Sequence, residues 1–389
     1  MRKIASLLIA LMIVCTFFPI AYADNTESTD IVGDTVPSAI LMEAETGEII
    51  FQKDAYSRRS PASVTKIMTM LLAAEAVENG LVNLADTVTA SAKAAGMGGS
   101  QIWLEEGETM SFGEMLKCIA VVSANDCCVA IAEHLAGSED AFVARMNEKA
   151  ESLGLENSNF LCCSGLSDSD EHYSCAYDLA IISRELLKYD FIRNFTTTWT
   201  DSIRGGEFIL NNTNKLVYHF PDTTGLKTGF TSKAGHCLAA SAKRDGAEFI
   251  AVVLGCESSA SRFEGAKTLL NFAFSNYTLI SVEELCSLPP IGVEMGKKDC
   301  INAVISQKRV VIKKDMENDI SFSPLLPEKI SAPIKDGQKL GTLKVLFKDE
   351  LIKEIDVISC EEIESMAYWD LLRTYLASLQ NFLVIKDEL

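Results

Sequence analysis

The sequence predicts an α/β protein of the α+β type: an antiparallel sheet with helices, then a small all-β domain, then a C-terminal amphipathic helix. Three observations predict it. Two short apolar runs near the start, Ser38 to Met42 and Thr46 to Phe51, flank a glycine turn and read as strands. A long middle stretch repeats apolar residues at helical spacing, and a later one sets apolar runs around Arg244-Asp245-Gly246, a hairpin signal. Beyond Pro289-Pro290 come short alternating segments, closed by a stripe of aromatic and aliphatic residues at helical spacing.

In chain order, Met1-Arg2-Lys3, an apolar run from Ile4 to Ile20 and Ala21-Tyr22-Ala23 have the layout of a secretory signal peptide, with cleavage expected after Ala23. An uncleaved anchor is the competing reading, which the small residues at the cut disfavour. Asp24 to Asp34 is a polar leader. Ser60 is suited to cap a helix and Pro61 to occupy its first position. Val64, Ile67, Met68, Leu71 and Leu72 then supply one buried face of a helix that stops near Asn79-Gly80. Phe112 to Val122 is the next helix. It breaks at Ser123-Ala124-Asn125, and another begins at Asp126. Helices over Phe142–Leu153 and Ala176–Leu187 complete a helical half, with an irregular loop from Cys162 to Ser174 between them.

Strands come next at Leu226–Thr231, His236–Lys243 and Glu248–Gly255, with a covering helix at Ala266–Phe274. The expected division is a leader (1–23), a first domain (36–280), a small β-sandwich (285–360) and an amphipathic helix (361–389). That last helix, with Tyr368, Trp369, Leu372, Tyr375, Leu376 and Leu379 on one stripe, suits a membrane interface or a partner groove; packing on its own domain is the alternative. The final Lys386-Asp387-Glu388-Leu389 matches an endoplasmic-reticulum retrieval signal, but nothing else points to that compartment.

A length of 389 residues with 48% hydrophobic content allows two or three domains with real cores, and a net charge of -19 argues against nucleic acid as a partner. Of 12 cysteines, Cys15 falls in the leader, which leaves an odd number. Cys127-Cys128 and Cys162-Cys163 are adjacent pairs without metal-ligand spacing, while Cys118, Cys237 and Cys256 sit in apolar patterns. Mostly free, buried thiols are therefore expected.

Three short elements carry chemistry. Ser63 and Lys66 lie one helical turn apart, so a hydroxyl and an amine meet. A serine needs a base to act as nucleophile, and a lysine serves if its pKa is lowered. Ser63 would also sit among the free N–H groups of a first helical turn, which favour a developing oxyanion. Ser123-Ala124-Asn125 and Lys227-Thr228-Gly229 come after it in order, on an interhelical loop and on a strand. Ser-x-x-Lys, Ser-Asp-Asn (here Ser-Ala-Asn) and Lys-Thr-Gly are the set found in β-lactamases and penicillin-binding proteins. His134, His172, His219 and His236 lie in unrelated contexts and offer no Ser-His-Asp triad; Asp126 and Asp178 read as helix N-terminal residues.

The resemblance extends beyond these triplets. Ala39-Ile40-Leu41 with Thr46-Gly47, Pro61 to Thr69, Gly99-Ser100-Gln101-Ile102, Tyr177-Asp178-Leu179-Ala180, Gly225 to Thr231 and Arg262-Phe263 together resemble the D-alanyl-D-alanine carboxypeptidases, the low-molecular-mass penicillin-binding proteins. The resemblance covers about 36–280 and, more loosely, the small β domain and the terminal helix. It implies a β-lactamase/transpeptidase-like domain, with Ser63 as acylated nucleophile, Lys66 as its base and Ser123 as proton relay to the leaving amine. It implies that Asn125 holds the substrate's peptide carbonyl, and that Lys227 keeps the site cationic and bonds Ser123. Thr228 and Arg262 would receive the terminal carboxylate. The N–H groups of Ser63 and Phe230, beside Gly229, would form the oxyanion hole.

Peptidoglycan stem peptides are the implied substrate and β-lactams the implied inhibitors, at the outer face of the cytoplasmic membrane, with no cofactor and no metal. Two lysines close together would depress each other's pKa. Cys162-Cys163-Ser164-Gly165-Leu166 departs from the family's usual turn. A DD-endopeptidase would share every motif; a class A β-lactamase would need a deacylating glutamate that the loop lacks; intact motifs argue against a non-catalytic penicillin sensor.

Overall fold

The computed structural model describes residues 30–370 and 372–373, so the expected leader and most of the expected terminal helix lie outside the described residues. Five antiparallel strands form the main sheet: β1 (Ser38–Glu43), β2 (Ile49–Lys53), β3 (Thr223–Thr231), β4 (Gly235–Arg244) and β5 (Ala247–Cys256), in the order β2-β1-β5-β4-β3. Strand β5 is central and reads as a continuous apolar run because it is covered on both faces. Ile250, Val252 and Leu254 enter the core shared with the helical half, while the alternate residues Phe249, Ala251 and Val253 meet the C-terminal helix of the domain. Strand β3, which carries Lys227-Thr228-Gly229, lies at the sheet's edge.

The helical half contains α1 (Lys66–Glu78), α2 (Ala92–Ala95), α3 (Phe112–Val122), α4 (Asn125–Ala136), α5 (Glu139–Ser152) and α6 (Ala176–Leu187). Helix α1 is the hub. Every residue from Lys66 to Leu71 is buried, so the single apolar face expected from spacing understates it: the helix is enclosed by α3, α4, α5, α6 and the sheet. Its entry also differs from expectation. Ala62–Thr65 form a 3₁₀ turn after Pro61, with no side-chain cap, and Ser60 Oγ is buried without a partner. The α-helix proper begins only at Lys66, one turn beyond Ser63. The covering helix α7 spans Ser259–Asn276, longer than Ala266–Phe274, because Ser258 and Ser261 form a capping box ahead of it.

The second domain starts earlier than residue 285. Strand Tyr277–Ser281 leaves α7 directly and pairs with Arg309–Lys313, tying the two domains. Further strands make a three-stranded sheet from Ile291–Glu294, Cys300–Ile301 and Lys329–Ser331, and a four-stranded one from Ala303–Ile305, Ile320–Leu325, Lys339–Phe347 and Glu350–Ser359. Salt bridges Arg309–Glu45 and Lys353–Glu48 cross the seam. Residues 363–367 are not the start of a helix: Ile363 bridges Ile334, Ser365 bridges Gly296, and Ile363 is core. Helical backbone begins at Tyr368, and among the described residues no helix is long and apolar enough to cross a membrane. All eleven cysteines among the described residues are free, and seven are buried.

Candidate active site

The three motifs converge where the 3₁₀ turn of Ser63, the α3–α4 junction and the edge strand β3 meet. Lys66 Nζ lies 2.9 Å from Ser63 Oγ, 2.6 Å from Asn125 Oδ1 and 2.6 Å from the Ser164 carbonyl oxygen. The Asn125 orientation is fixed, because its Nδ2 donates to the Gly98 carbonyl at 2.7 Å. The chemistry can be read from the hydrogen count. Asn125 Oδ1 and Ser164 O only accept. A neutral amine gives its two hydrogens to them and directs its lone pair at the Ser63 hydroxyl, which is the arrangement of a general base.

Burial favours that neutral state. Lys66 and Lys227 are both fully buried. Burial pushes the Lys66 amine below its ordinary range, against the opposing pull of Cys128, Cys163 and other acidic groups nearby. Burial also pushes Lys227 well down, and the Lys66 charge adds to it. Desolvation, more than the mutual repulsion expected from sequence, is therefore the leading cause.

Ser123 caps α3 in the left-handed region, with φ 65° and ψ 33°, a conformation that costs a serine about 1–3 kcal/mol and turns the chain sharply into α4. Its Oγ is buried and has no hydrogen-bond partner. The bond expected from Lys227 is not formed; Lys227 Nζ donates instead to the Thr228 carbonyl at 3.2 Å. Asn125 has given Oδ1 to Lys66 and one Nδ2 hydrogen to Gly98, which leaves one amide hydrogen for a substrate carbonyl.

Gly229 lets β3 approach Ser63. A Cβ there would stand 2.8 Å from the Pro61 carbonyl oxygen, closer than atoms tolerate, and a tight 3.1 Å from Ser63 N. The Ser63 N–H thus lies against the stretch of β3 that leads into Phe230. Phe230 is 57% exposed and stacks on His236 at 4.3 Å between ring centroids. Thr228 Oγ1 donates to Thr213 Oγ1 at 2.7 Å, a partner that no motif announced. Arg262 lies inside the first turn of α7 instead of before the helix. Its Nη1 donates to the carbonyls of Gly229 at 2.9 Å and Cys237 at 3.3 Å, so it sits beneath β3 and is not hydrogen-bonded to the Thr228 side chain.

The atypical loop is well held. Gly165 is required, since a Cβ would fall 1.9 Å from the Ala62 carbonyl oxygen. Thr69 Oγ1 donates to the Cys163 carbonyl at 2.6 Å. His172 accepts the Leu161 N–H on Nδ1 at 3.0 Å, so Nε2 carries the proton and meets Thr65 Oγ1 at 2.9 Å; burial lowers its pKa to about 4 and keeps it neutral. Asp126 accepts from the N–H groups of Ile102 and Leu104, and Asp178 from Asn157 N and Ser158 Oγ, both structural roles at helix starts.

A serine paired with a buried lysine at the free edge of a sheet, with helices on both faces, defines a serine acyl-enzyme hydrolase of the penicillin-binding type. Comparison with known proteins agrees. The D-alanyl-D-alanine carboxypeptidase family model matches residues 25–258, and the penicillin-binding protein 5 C-terminal domain matches residues 274–365. The chain belongs to the D-alanyl-D-alanine carboxypeptidase family. It is 41% identical over 389 residues to the D-alanyl-D-alanine carboxypeptidase DacF of Bacillus subtilis, covering 98% of this chain and 99% of that one. Among solved structures, penicillin binding protein 5 from Haemophilus influenzae superposes with a TM-score of 0.78 at 26% identity, over 85% of this chain and 98% of that chain. Penicillin-binding protein D2 from Listeria monocytogenes, solved in its ampicillin-bound form, matches with a TM-score of 0.57 at 27% identity, over 62% of this chain and 98% of that one.

Proposed function

We propose that this serine carboxypeptidase removes the terminal D-alanine from peptidoglycan stem pentapeptides through an acyl-enzyme on Ser63. The observation that carries the reading is the buried Lys66 amine, 2.9 Å from Ser63 Oγ with pure acceptors on its other sides. Lys66 takes the hydroxyl proton as Ser63 Oγ attacks the penultimate D-alanine carbonyl. The oxyanion rests against the N–H groups of Ser63 and Phe230. Two buried amines disfavour both being charged, so the proton gained by Lys66 is readily passed on, through Ser123, to the leaving amine. Water then attacks the ester by the same route in reverse. The free edge of β3 pairs with the extended peptide, and Asn125 holds a peptide carbonyl.

Thr228 receives the terminal carboxylate, with the Arg262 charge beneath the strand. Loss of such a charge in a partly dry site costs about 2–4 kcal/mol. Arg262→Ala is thus expected to slow D-alanine release roughly 30- to 1,000-fold from a free-acid peptide, and far less from its C-terminal amide. Carboxylate recognition by Arg262 is wrong if wild-type enzyme cleaves acid and amide equally, or if the variant slows both alike.

The enzyme works at the outer face of the cytoplasmic membrane, held there by its C-terminal stretch. Supporting this are the signal-like residues 1–23 and the exposed Tyr368 and Trp369, 72% and 68% accessible, at the start of the final helical pattern. Because Ile363 is core, truncation after Ala367 is expected to release a soluble, fully active enzyme from membrane vesicles, whereas an aggregated or inactive product would assign the stretch to a core or a partner.

A further inference from the structure

The grip on the Lys66 amine comes from two separate segments, and both lead back to one side chain. Ser164 O, the first acceptor, belongs to the loop after Cys162. Asn125 Oδ1, the second, is oriented by the segment after α2: Gly98 O takes Asn125 Nδ2 and Ser100 O takes Asn125 N, each at 2.7 Å. Glu139 stands between these segments. It is the first residue of α5, is 8% exposed, and takes no part in the chemistry above. Its Oε1 accepts from the Cys163 backbone N–H at 3.2 Å and from the Cys163 thiol at 3.3 Å, one residue before Ser164. Its Oε2 pairs with Lys93 Nζ at 2.8 Å, on the helix that runs directly into Gly98 and Ser100.

We propose that Glu139 is a positioning residue for the general base: one buried carboxylate fastens together the two segments whose oxygens aim the Lys66 lone pair at Ser63. Three features make this more than an ordinary ion pair. A carboxylate supplies two oxygens, and here each goes to a different segment. Thr69 Oγ1, from α1, donates to the Cys163 carbonyl, so the peptide before Ser164 is held from both sides. The pair with Lys93 and the Cys163 contacts outweigh burial and keep the Glu139 carboxyl below its usual range, so it remains an acceptor throughout the working pH. A half-exposed lysine contributes little stability on its own. Geometry at the base matters more, since a displacement of about 1 Å in reacting groups costs on the order of 10²-fold in rate.

The inference rests on the reading that Lys66 is the base for Ser63, and the test separates the two. Acylation by benzylpenicillin is followed by stopped flow at several concentrations, giving the pre-covalent dissociation constant and the acylation rate constant separately. Glu139→Ala is expected to lower the acylation rate constant by about 30- to 100-fold with the dissociation constant within twofold. Glu139→Gln fills the same space and retains an acceptor for the Cys163 N–H. It is expected to recover most of the rate, falling short by about threefold to tenfold through loss of the Lys93 pair. An acylation rate constant that Glu139→Ala leaves within twofold, or a dissociation constant that rises as far as the rate falls, overturns the inference. So does a Gln variant as slow as the Ala variant. If wild-type protein itself acquires no adduct on Ser63, it is the underlying reading that fails.

Discussion

Replacing Lys66 by alanine is expected to slow acylation of Ser63 by about 10²- to 10⁴-fold, the usual worth of a positioned general base. The argument rests on the hydrogen count at Nζ: only a neutral amine, donating to Asn125 Oδ1 and Ser164 O, has a lone pair left for the hydroxyl. Lys66→Arg separates this role from a merely electrostatic one. A guanidinium keeps the positive charge and never gives up its proton in the working range, so the arginine variant is expected to be as slow as the alanine variant. The pH dependence carries the same information. Burial lowers the Lys66 pKa, so the base is deprotonated above that pKa and lost as pH falls through it. The wild-type acylation rate therefore rises with pH along its acid limb, at a pH below the ordinary lysine range, and this limb is absent from Lys66→Ala. An arginine variant within tenfold of wild type would remove Lys66 as base.

Gly229→Ala is expected to cost about 10²-fold in acylation rate, comparable to loss of one oxyanion-hole donor. The added Cβ would meet the Pro61 carbonyl oxygen at 2.8 Å, Ser63 N at 3.1 Å and Val64 Cγ2 at 3.1 Å. Two of these are backbone atoms of the turn that holds the nucleophile, so relief requires β3 to move away from it. That movement separates the N–H groups of Ser63 and Phe230, which the proposed oxyanion hole requires to converge on one oxygen. Overpacking also lowers stability by about 1–3 kcal/mol, so the rate must be read well below the unfolding transition. A folded Gly229→Ala variant that acylates within threefold of wild type would show that the oxyanion is held elsewhere.

The chemistry was legible in the sequence to the extent that it resides in side chains with local spacing. Ser63 and Lys66 are one turn apart in any helix-like geometry, so their contact survived even though the turn proved to be 3₁₀ and Ser60 proved not to cap it. The β4–β5 hairpin was readable because Asp245-Gly246 dictates its turn. What escaped was carried by the backbone or by tertiary contact. The Ser164 carbonyl has no signature, because any residue supplies one. Thr213 meets Thr228 from a loop whose sequence is ordinary among polar turns. Helix α7 begins seven residues earlier than its apolar pattern because Ser258 and Ser261 cap it reciprocally, where a glutamate would have advertised the box. The seam between domains was misplaced because Tyr277–Ser281, continuous with α7, finds its strand partner in the second domain. Lys227 was expected to reach Ser123, and which acceptor a buried amine selects is decided by packing that spacing does not encode.

The most direct test of the central claim is peptide mapping of the protein after reaction with benzylpenicillin, by mass spectrometry over a time course. Ser63, 2.9 Å from a buried amine and facing the Gly229 segment, is expected to carry the intact penicilloyl mass. The adduct should persist over many minutes, and Ser63→Ala should show neither adduct nor D-alanine release. An adduct on any other residue, or penicillin turned over rapidly with Ser63 left free, would contradict the account.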